Sequence, residues 1–203
     1  MLLAIVLAVF LCSFIIEKHN KIDFIFLVFY NKAKENFMSE KRDLYDKNKN
    51  KTGKTIEKGA IVPKDYYYIT VVVWIQNAKG QFLIQKTVPK KHHMWATTGG
   101  HPKAGESSLE GIITEIKEEL GLTVNPNELK LFKTLKTIDD FIDIYYLKSE
   151  IDINKLTLQK EEVEEIKWAT PKEIKNLIEN NLFLPPHIKF YKLCLEYLKT
   201  KKE

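Results

Sequence analysis

Residues 99–122, GGHPKAGESSLEGIITEIKEELGL, decide how this chain is read. They form a glycine-rich loop running into one helix. Ser107 is placed to cap the helix, and Glu110 three residues on completes a capping box. Gly121 stands where a left-handed C-terminal stop is wanted. Leu109, Ile112, Ile113, Ile116 and Leu120 fall on one stripe at helical spacing, so that face is expected to be buried. Glu115, Glu118 and Glu119 lie at i, i+3 and i+4 and crowd one side of the same helix. Like charges at that spacing repel by about 0.2–0.5 kcal/mol per pair when solvated. A hard divalent cation with oxygen ligands, Mg²⁺ or Mn²⁺, offsets such repulsion. The alternative is a solvated acidic face on a Lys/Glu-rich helix, and the glutamates by themselves favour that alternative. The loop in front of them tips the reading toward the metal.

Loop and helix together resemble the Nudix box, the signature of Nudix hydrolases: Gly, five residues, Glu, seven residues, then Arg-Glu-aliphatic-any-Glu-Glu-any-Gly-aliphatic. Gly100 is followed by five residues and Glu106, and seven more lead to Thr114, Glu115, Ile116, Lys117, Glu118, Glu119, Leu120, Gly121 and Leu122. The one departure is Thr114, where the family has arginine. The resemblance implies that Glu115, Glu118 and Glu119 bind divalent metal, with the backbone carbonyl of Gly100 as a further ligand. It also implies a Nudix-type α/β/α sandwich with a mixed β-sheet, covering residues 66–180.

Composition sets the outer limits. The chain has 203 residues, 44% of them hydrophobic, enough for a real core in one domain with extensions. The net charge of +5 is modest, and the lysines are spread while the acids cluster, so no nucleic-acid surface is implied. Cys12 and Cys194 are too far apart in sequence to form a metal pair or a disulfide framework. That fits a reducing compartment and an expected cytoplasmic location.

Three regions are expected: a hydrophobic leader at 1–37, a polar segment at 38–64 and the hydrolase domain at 65–203. The apolar run at 2–16 is short of the ~20 residues a spanning helix needs, and no basic residue precedes it. Either it anchors the chain to a membrane, or the working protein begins at Met38; the second is favoured, because the leader matches nothing in the resemblance. Residues 39–64 are Lys/Asn-rich and read as a linker or an irregular N-terminal strand. Gly53-Lys54-Thr55 looks like the end of a P-loop but lacks the upstream glycine, Asn48 standing there, so it is taken as chance.

Residues 66–75, YYYITVVVWI, read as a buried strand, followed by a turn at 77–80 and a returning strand at 81–86. The basic loop Pro89-Lys90-Lys91-His92-His93 faces phosphate or solvent, and its two histidines lack a third metal ligand. A short strand at 95–98 leads into the box. Strands follow at 129–137 and 141–147, with Ile138-Asp139-Asp140 between them. An acidic run at 161–165 feeds a strand at 166–168. Thr170, Pro171 and Glu173 start a helix that ends near Asn180, and Pro185-Pro186 precede a last amphipathic helix carrying Ile188, Tyr191, Leu195 and Leu198 on one side. This order argues for α/β layering.

The family cleaves a nucleoside diphosphate linked to another moiety, with water attacking phosphorus. By resemblance Glu118 is the first choice for the base. Gly99 and Gly100 let backbone approach metal and phosphate closely. Glu106 either binds a further metal through water or braces the loop. Asp139, Asp140 and Asp143 are reserve bases, with an ordinary acidic turn the preferred reading. Two rivals remain. Residues 95–107 also resemble type 1 isopentenyl-diphosphate isomerases, but the isomerase cysteine falls on Gly99 and a metal histidine falls on or near Tyr68. His101 is expected to brace the loop rather than touch metal. The third reading is a nucleotide-binding module without turnover, which Thr114 favours and the intact glutamate set opposes.

Overall fold

The computed structural model describes residues 40–201. The leader and Cys12 lie outside the described residues. From Lys41 onward the chain is one compact unit. No helix among the described residues is long and apolar enough to cross a membrane.

The centre is a mixed sheet. Strands β3 (Tyr68–Gln76), β4 (Phe82–Thr87), β5 (Trp95–Ala96), β7 (Lys130–Lys136) and β8 (Asp140–Lys148) run in the order β5-β4-β3-β8-β7. Strand β6 (Gly99–Gly100) pairs with β3, and β9 (Val163–Ala169) pairs with β4. Only β3 and β8 are parallel, matched residue for residue from Tyr68↔Asp140 to Gln76↔Lys148. β3 is the strand expected from YYYITVVVWI, and it is buried on both faces. Its alternating side chains divide between two cores. Ile69, Val71, Val73 and Ile75 pack with Ile112, Ile116 and Leu120 of helix α1 (Ser108–Leu120). Val72 and Trp74 pack with Ile174 of α2 (Pro171–Glu179) and with Phe190, Tyr191 and Cys194 of α3 (Pro185–Thr200). The result is helix, mixed sheet, helices, the layering expected from the element order.

Local signals act where they were read. α1 carries the full Ser107–Glu110 capping box and stops at Gly121 with φ 65°. α2 carries the equivalent Thr170–Glu173 box and is capped at Asn180. The prolines at 185 and 186 sit inside the first turn of α3 rather than before it, where their missing donors cost nothing. Strand β9 starts at Val163, so Glu164 and Glu165 of the acidic run belong to the strand itself.

Residues 40–64 fold more regularly than a linker. β1 (Lys41–Tyr45) and β2 (Lys51–Glu57) form an antiparallel hairpin, with Gly53-Lys54-Thr55 inside β2 rather than in a phosphate loop. The hairpin joins the domain through reciprocal backbone bonds between Tyr45 and Tyr67, at 2.7 and 3.0 Å. Its turn delivers Lys49 to Asp143.

Asp143 corrects the reading of 139–143 as an acidic turn. Asp140 and Asp143 lie in β8 and are buried. Asp140 accepts from Thr70 Oγ1 at 2.7 Å. Asp143 is fully buried and takes four donor contacts: Lys49 Nζ on both oxygens at 2.5 and 2.6 Å, Ser108 Oγ at 2.5 Å and Thr134 Oγ1 at 2.5 Å. This one carboxylate ties the hairpin turn, the first residue of α1 and edge strand β7 to β8. A buried carboxylate saturated in this way is a structural hub, and none of the site glutamates is among its partners.

Removing one member of a buried ion pair strands the other charge, which costs about 3–5 kcal/mol. The Lys49 side chain is 27% exposed, so the low end applies. Lys49→Met is expected to lower unfolding free energy by about 3 kcal/mol. Lys51→Met breaks a more exposed pair with Asp43 and should cost no more than about 1 kcal/mol. Urea denaturation of the two variants tests the ranking; equal losses would contradict it.

Candidate active site

The box loop meets α1 at three glycines where a side chain has no room. A Cβ on Gly99 would overlap the carbonyl oxygen of Val71 in β3. A Cβ on Gly100 would overlap the Glu115 carboxylate. A Cβ on Gly111, in the first half of α1, would overlap the ring of Pro102. The loop therefore lies against both the sheet and the helix, held by the antiparallel pairs Val71↔Gly100 and Val72↔Gly99 and by Val73 N donating to Thr98 O at 3.0 Å.

Each glutamate of the helix has its own environment. Glu115 Oε1 accepts from the backbone N–H of His101 at 2.9 Å, seating the carboxylate on the loop. Glu118 is half exposed and pairs with Lys103 Nζ at 2.5 Å. Glu119 is only 6% exposed, and its Oε2 accepts from Gln85 Nε2 at 2.9 Å. Burial pushes the Glu119 carboxyl up to about 8; the Gln85 bond pulls it down and the like charge of Glu115 raises it further. Two carboxylates forced together at the edge of the interior make an environment that a cation relieves.

Glu106 braces the loop. Its Oε2 accepts from Lys103 N at 2.8 Å and its Oε1 from Thr114 Oγ1 at 2.8 Å. Thr114, in α1, thus reaches back to the loop glutamate eight positions before it. The loop is also fastened from outside: Ala104 N donates to Lys41 O at 2.7 Å, Gly105 N to Asp43 Oδ2 at 3.0 Å, and Lys51 Nζ to Glu106 O at 3.1 Å. The N-terminal hairpin is part of what holds the box in shape.

His101 packs its ring against Tyr68, centroids 5.3 Å apart, and Tyr68 in turn lies under the Arg42 guanidinium. Burial, with Arg42, Lys58 and Lys91 nearby, pulls the His101 imidazole down to about 3, so it is neutral at pH 7. Its ring rests on Tyr68 of β3, the strand that the loop joins. In the basic loop, His93 pairs with Glu164 at 2.9 Å and Lys91 with Glu162. Both side chains find partners in the acidic run.

Among the described residues, no three His, Cys, Asp or Glu side chains already converge as a finished metal cage. The donor types are nonetheless those a hard cation takes: carboxylates at i, i+3 and i+4 of α1, with Glu115 lying against the Gly100 backbone because no side chain stands at 100. The glutamate most exposed, Glu118, is held by a surface ion pair worth about 0–1 kcal/mol, which a divalent cation would displace at little cost.

Sequence reasoning missed Gln85 and Gly111. Gln85 was read as one residue of a returning hairpin strand, and a polar residue there carries no signal of its burial. Gly111 sits in a helix interior, where a glycine costs about 1 kcal/mol against alanine, and that local penalty was the available clue.

Comparison with known proteins shows the class to which this fold belongs. The sequence matches the NUDIX domain over residues 67–194. It is 30% identical over 150 residues to an uncharacterised Nudix hydrolase of Listeria monocytogenes, covering 72% of this chain and 89% of that protein. Isopentenyl-diphosphate Delta-isomerase of Escherichia coli is 34% identical over 79 residues, 36% of this chain and 43% of the isomerase. Among solved structures, one from Deinococcus radiodurans aligns with a TM-score of 0.58 at 20% identity, covering 71% of this chain and 91% of that one. A bifunctional NMN adenylyltransferase/ADP ribose pyrophosphatase from Francisella tularensis, complexed with AMP and a Mn ion, aligns at 0.54 and 17% identity, over 69% and 43%. The chain belongs to the Nudix family and is a hydrolase of that family.

The glycines separate stability from chemistry. Gly99→Ala meets backbone and should cost about 1–3 kcal/mol. Gly100→Ala meets the end of a flexible side chain; it should leave the melting temperature within a few degrees while displacing Glu115 and abolishing hydrolysis. Thermal melts and an activity assay on both variants test this, and a destabilised Gly100→Ala with normal turnover would refute it. Thr114→Val removes a bond to a carboxylate and should lower stability by about 1.5 kcal/mol, with Thr114→Ser close to wild type.

Proposed function

We propose that this chain is a divalent-metal-dependent pyrophosphohydrolase that cleaves a nucleoside diphosphate linked to another moiety. The observation that carries the reading is the Glu115–Glu118–Glu119 face of α1, seated on the Gly99–Gly100 loop by a close approach that no other residue allows. Glu115, Glu118, Glu119 and the Gly100 carbonyl would hold Mg²⁺ or Mn²⁺. When bound, the cation supplies charge neutralisation for the diphosphate oxygens.

The chain's own groups do the rest. Glu118 is the least buried of the three and can turn from Lys103 to accept a proton from an attacking water. Lys103, released from Glu118, then faces the same loop as a cation for phosphate oxygen. Glu119, buried and hydrogen-bonded, stays fixed as a positioned acceptor. Glu106 keeps the loop rigid through Thr114 and Lys103 N, which preserves the geometry between loop and helix.

Two features oppose an isomerase reaction. The position of the isomerase cysteine is Gly99, and this backbone has no space there for a Cβ. The position of an upstream metal histidine falls on or near Tyr68, whose ring is occupied by Arg42 and His101. The binding-module reading rested on Thr114, whose hydroxyl bonds Glu106 rather than the proposed base; the presence of Glu115, Glu118 and Glu119 together supports turnover instead.

The test is a substrate panel of sugar nucleotides, dinucleotides, nucleoside triphosphates and isopentenyl diphosphate, each with Mg²⁺ or Mn²⁺. The expected result is a monophosphate product from at least one nucleotide diphosphate, no reaction in EDTA and no isomerised isopentenyl diphosphate. Glu118→Gln should lower kcat at least ~100-fold, about 2.7 kcal/mol of barrier, with KM changed little. Isomerisation of isopentenyl diphosphate with no nucleotide hydrolysed would overturn the assignment.

A further inference from the structure

We propose that Gln85 is a positioning residue for the metal site, fixing the Glu119 carboxylate and setting its spacing from the Gly100 carbonyl. The inference rests on the reading of Glu119 as a metal ligand. Gln85 is 4% exposed and lies mid-strand in β4, locked by pairing with Ala96 of β5 on one side and Ile166 of β9 on the other. Its backbone therefore has no freedom, and its side chain projects to the box. Nε2 donates to Glu119 Oε2 at 2.9 Å, and Oε1 accepts from Thr98 Oγ1 at 2.9 Å. Thr98 is itself buried and anchored to β3 through its carbonyl.

With Glu119 acting as a metal ligand its carboxyl is ionised, accepts and cannot donate, so this chain of bonds has one sense and the amide nitrogen faces Glu119. The amide oxygen then faces Thr98, whose hydroxyl must donate. A flipped amide would set oxygen against carboxylate in a place without solvent. Thr98 directly precedes Gly99 and Gly100, so one side chain couples the helix that carries Glu119 to the loop that carries the other ligand. Partners that orient a metal-ligating carboxylate are worth about 10–100-fold in metal affinity.

The experiment is titration of the full chain with Mn²⁺ in the absence of substrate, following free Mn²⁺ by electron paramagnetic resonance. Gln85→Met keeps the volume and removes both bonds; its Kd should rise about 10–100-fold. Thr98→Val keeps shape and removes only the donor to Gln85; its Kd should rise several-fold, while Thr98→Ser stays at the wild-type value. In a Glu119→Gln background, Gln85→Met should add no further loss, because the carboxylate it orients is gone. Should Gln85→Met fail to fold, the Thr98 pair carries the test unaided. A lowered melting temperature with unchanged Kd in Gln85→Met and Thr98→Val, while Glu118→Gln and Glu119→Gln weaken binding, overturns this inference and leaves the metal reading standing. Unchanged Kd in all four variants overturns the metal reading itself.

Discussion

The site depends on how closely a loop can approach a helix. Gly99, Gly100 and Gly111 each leave out a side chain at a point where backbone or carboxylate already fills the space. Because Gly99 lies against Val71, the loop can join β3 as an extra strand. Because Gly111 lies against Pro102, α1 can settle onto that loop. Because Gly100 lies against Glu115, a carboxylate can touch the backbone that carries the neighbouring carbonyl. Relaxing any of these contacts by the width of a methyl group separates the box loop from the strand or helix it lies against. The capping box and the αL glycine of α1 act on the same problem from the helix's side, fixing where its first and last turns lie and so the angle at which Glu115, Glu118 and Glu119 are presented.

A second tier of bonds keeps this approach from drifting. The Asp143 hub fastens the start of α1 to β8 through Ser108, and reaches the hairpin turn through Lys49. The hairpin then grips the box loop at residues 104 to 106 through Lys41, Asp43 and Lys51. Helix and loop are thus both referred to one buried carboxylate in the sheet. A buried ion pair is seldom a net source of stability when compared with apolar packing. Its value here is geometric, since it has to be satisfied and only one placement of three separate segments satisfies it.

What was legible in the sequence is what is local. The capping boxes at Ser107 and Thr170, the Gly121 stop and the apolar run of β3 are all written within a few consecutive residues, and the physics that reads them has the same range. The box glutamates were legible for the same reason, since i, i+3, i+4 spacing is a property of one helix. Lys49–Asp143 spans 94 positions and Gln85–Glu119 spans 34, so neither partner signals the other along the chain. The hairpin at 41–57 was obscured by composition: β2, KTGKTIE, is mostly exposed and poor in the bulky apolar residues that mark a strand, and β1 has such residues only at its end, in the buried Leu44 and Tyr45. Asp140 and Asp143 were misread as a turn because two strand aspartates next to Asp139 look like a solvated cluster until their donors are known.

The replacement of arginine by Thr114 shows how local and non-local restraints trade. An arginine at this position can hold a glutamate by charge and by reach. Threonine has neither, yet its hydroxyl lies 2.8 Å from Glu106 Oε1 because Glu106 is brought to it. Lys103 N takes the other oxygen of that carboxylate, and the hairpin holds the intervening residues at Ala104 and Gly105. The work of a long charged side chain is divided among a short hydroxyl, a backbone amide and a clamp from outside the box. That division removes one positive charge from the neighbourhood of the ligand set. It leaves Lys103, whose ammonium is already 2.5 Å from Glu118, as the cation nearest the carboxylate that faces solvent. A charge that arginine would have placed in the helix is here on a lysine of the loop, paired with the carboxylate that faces solvent.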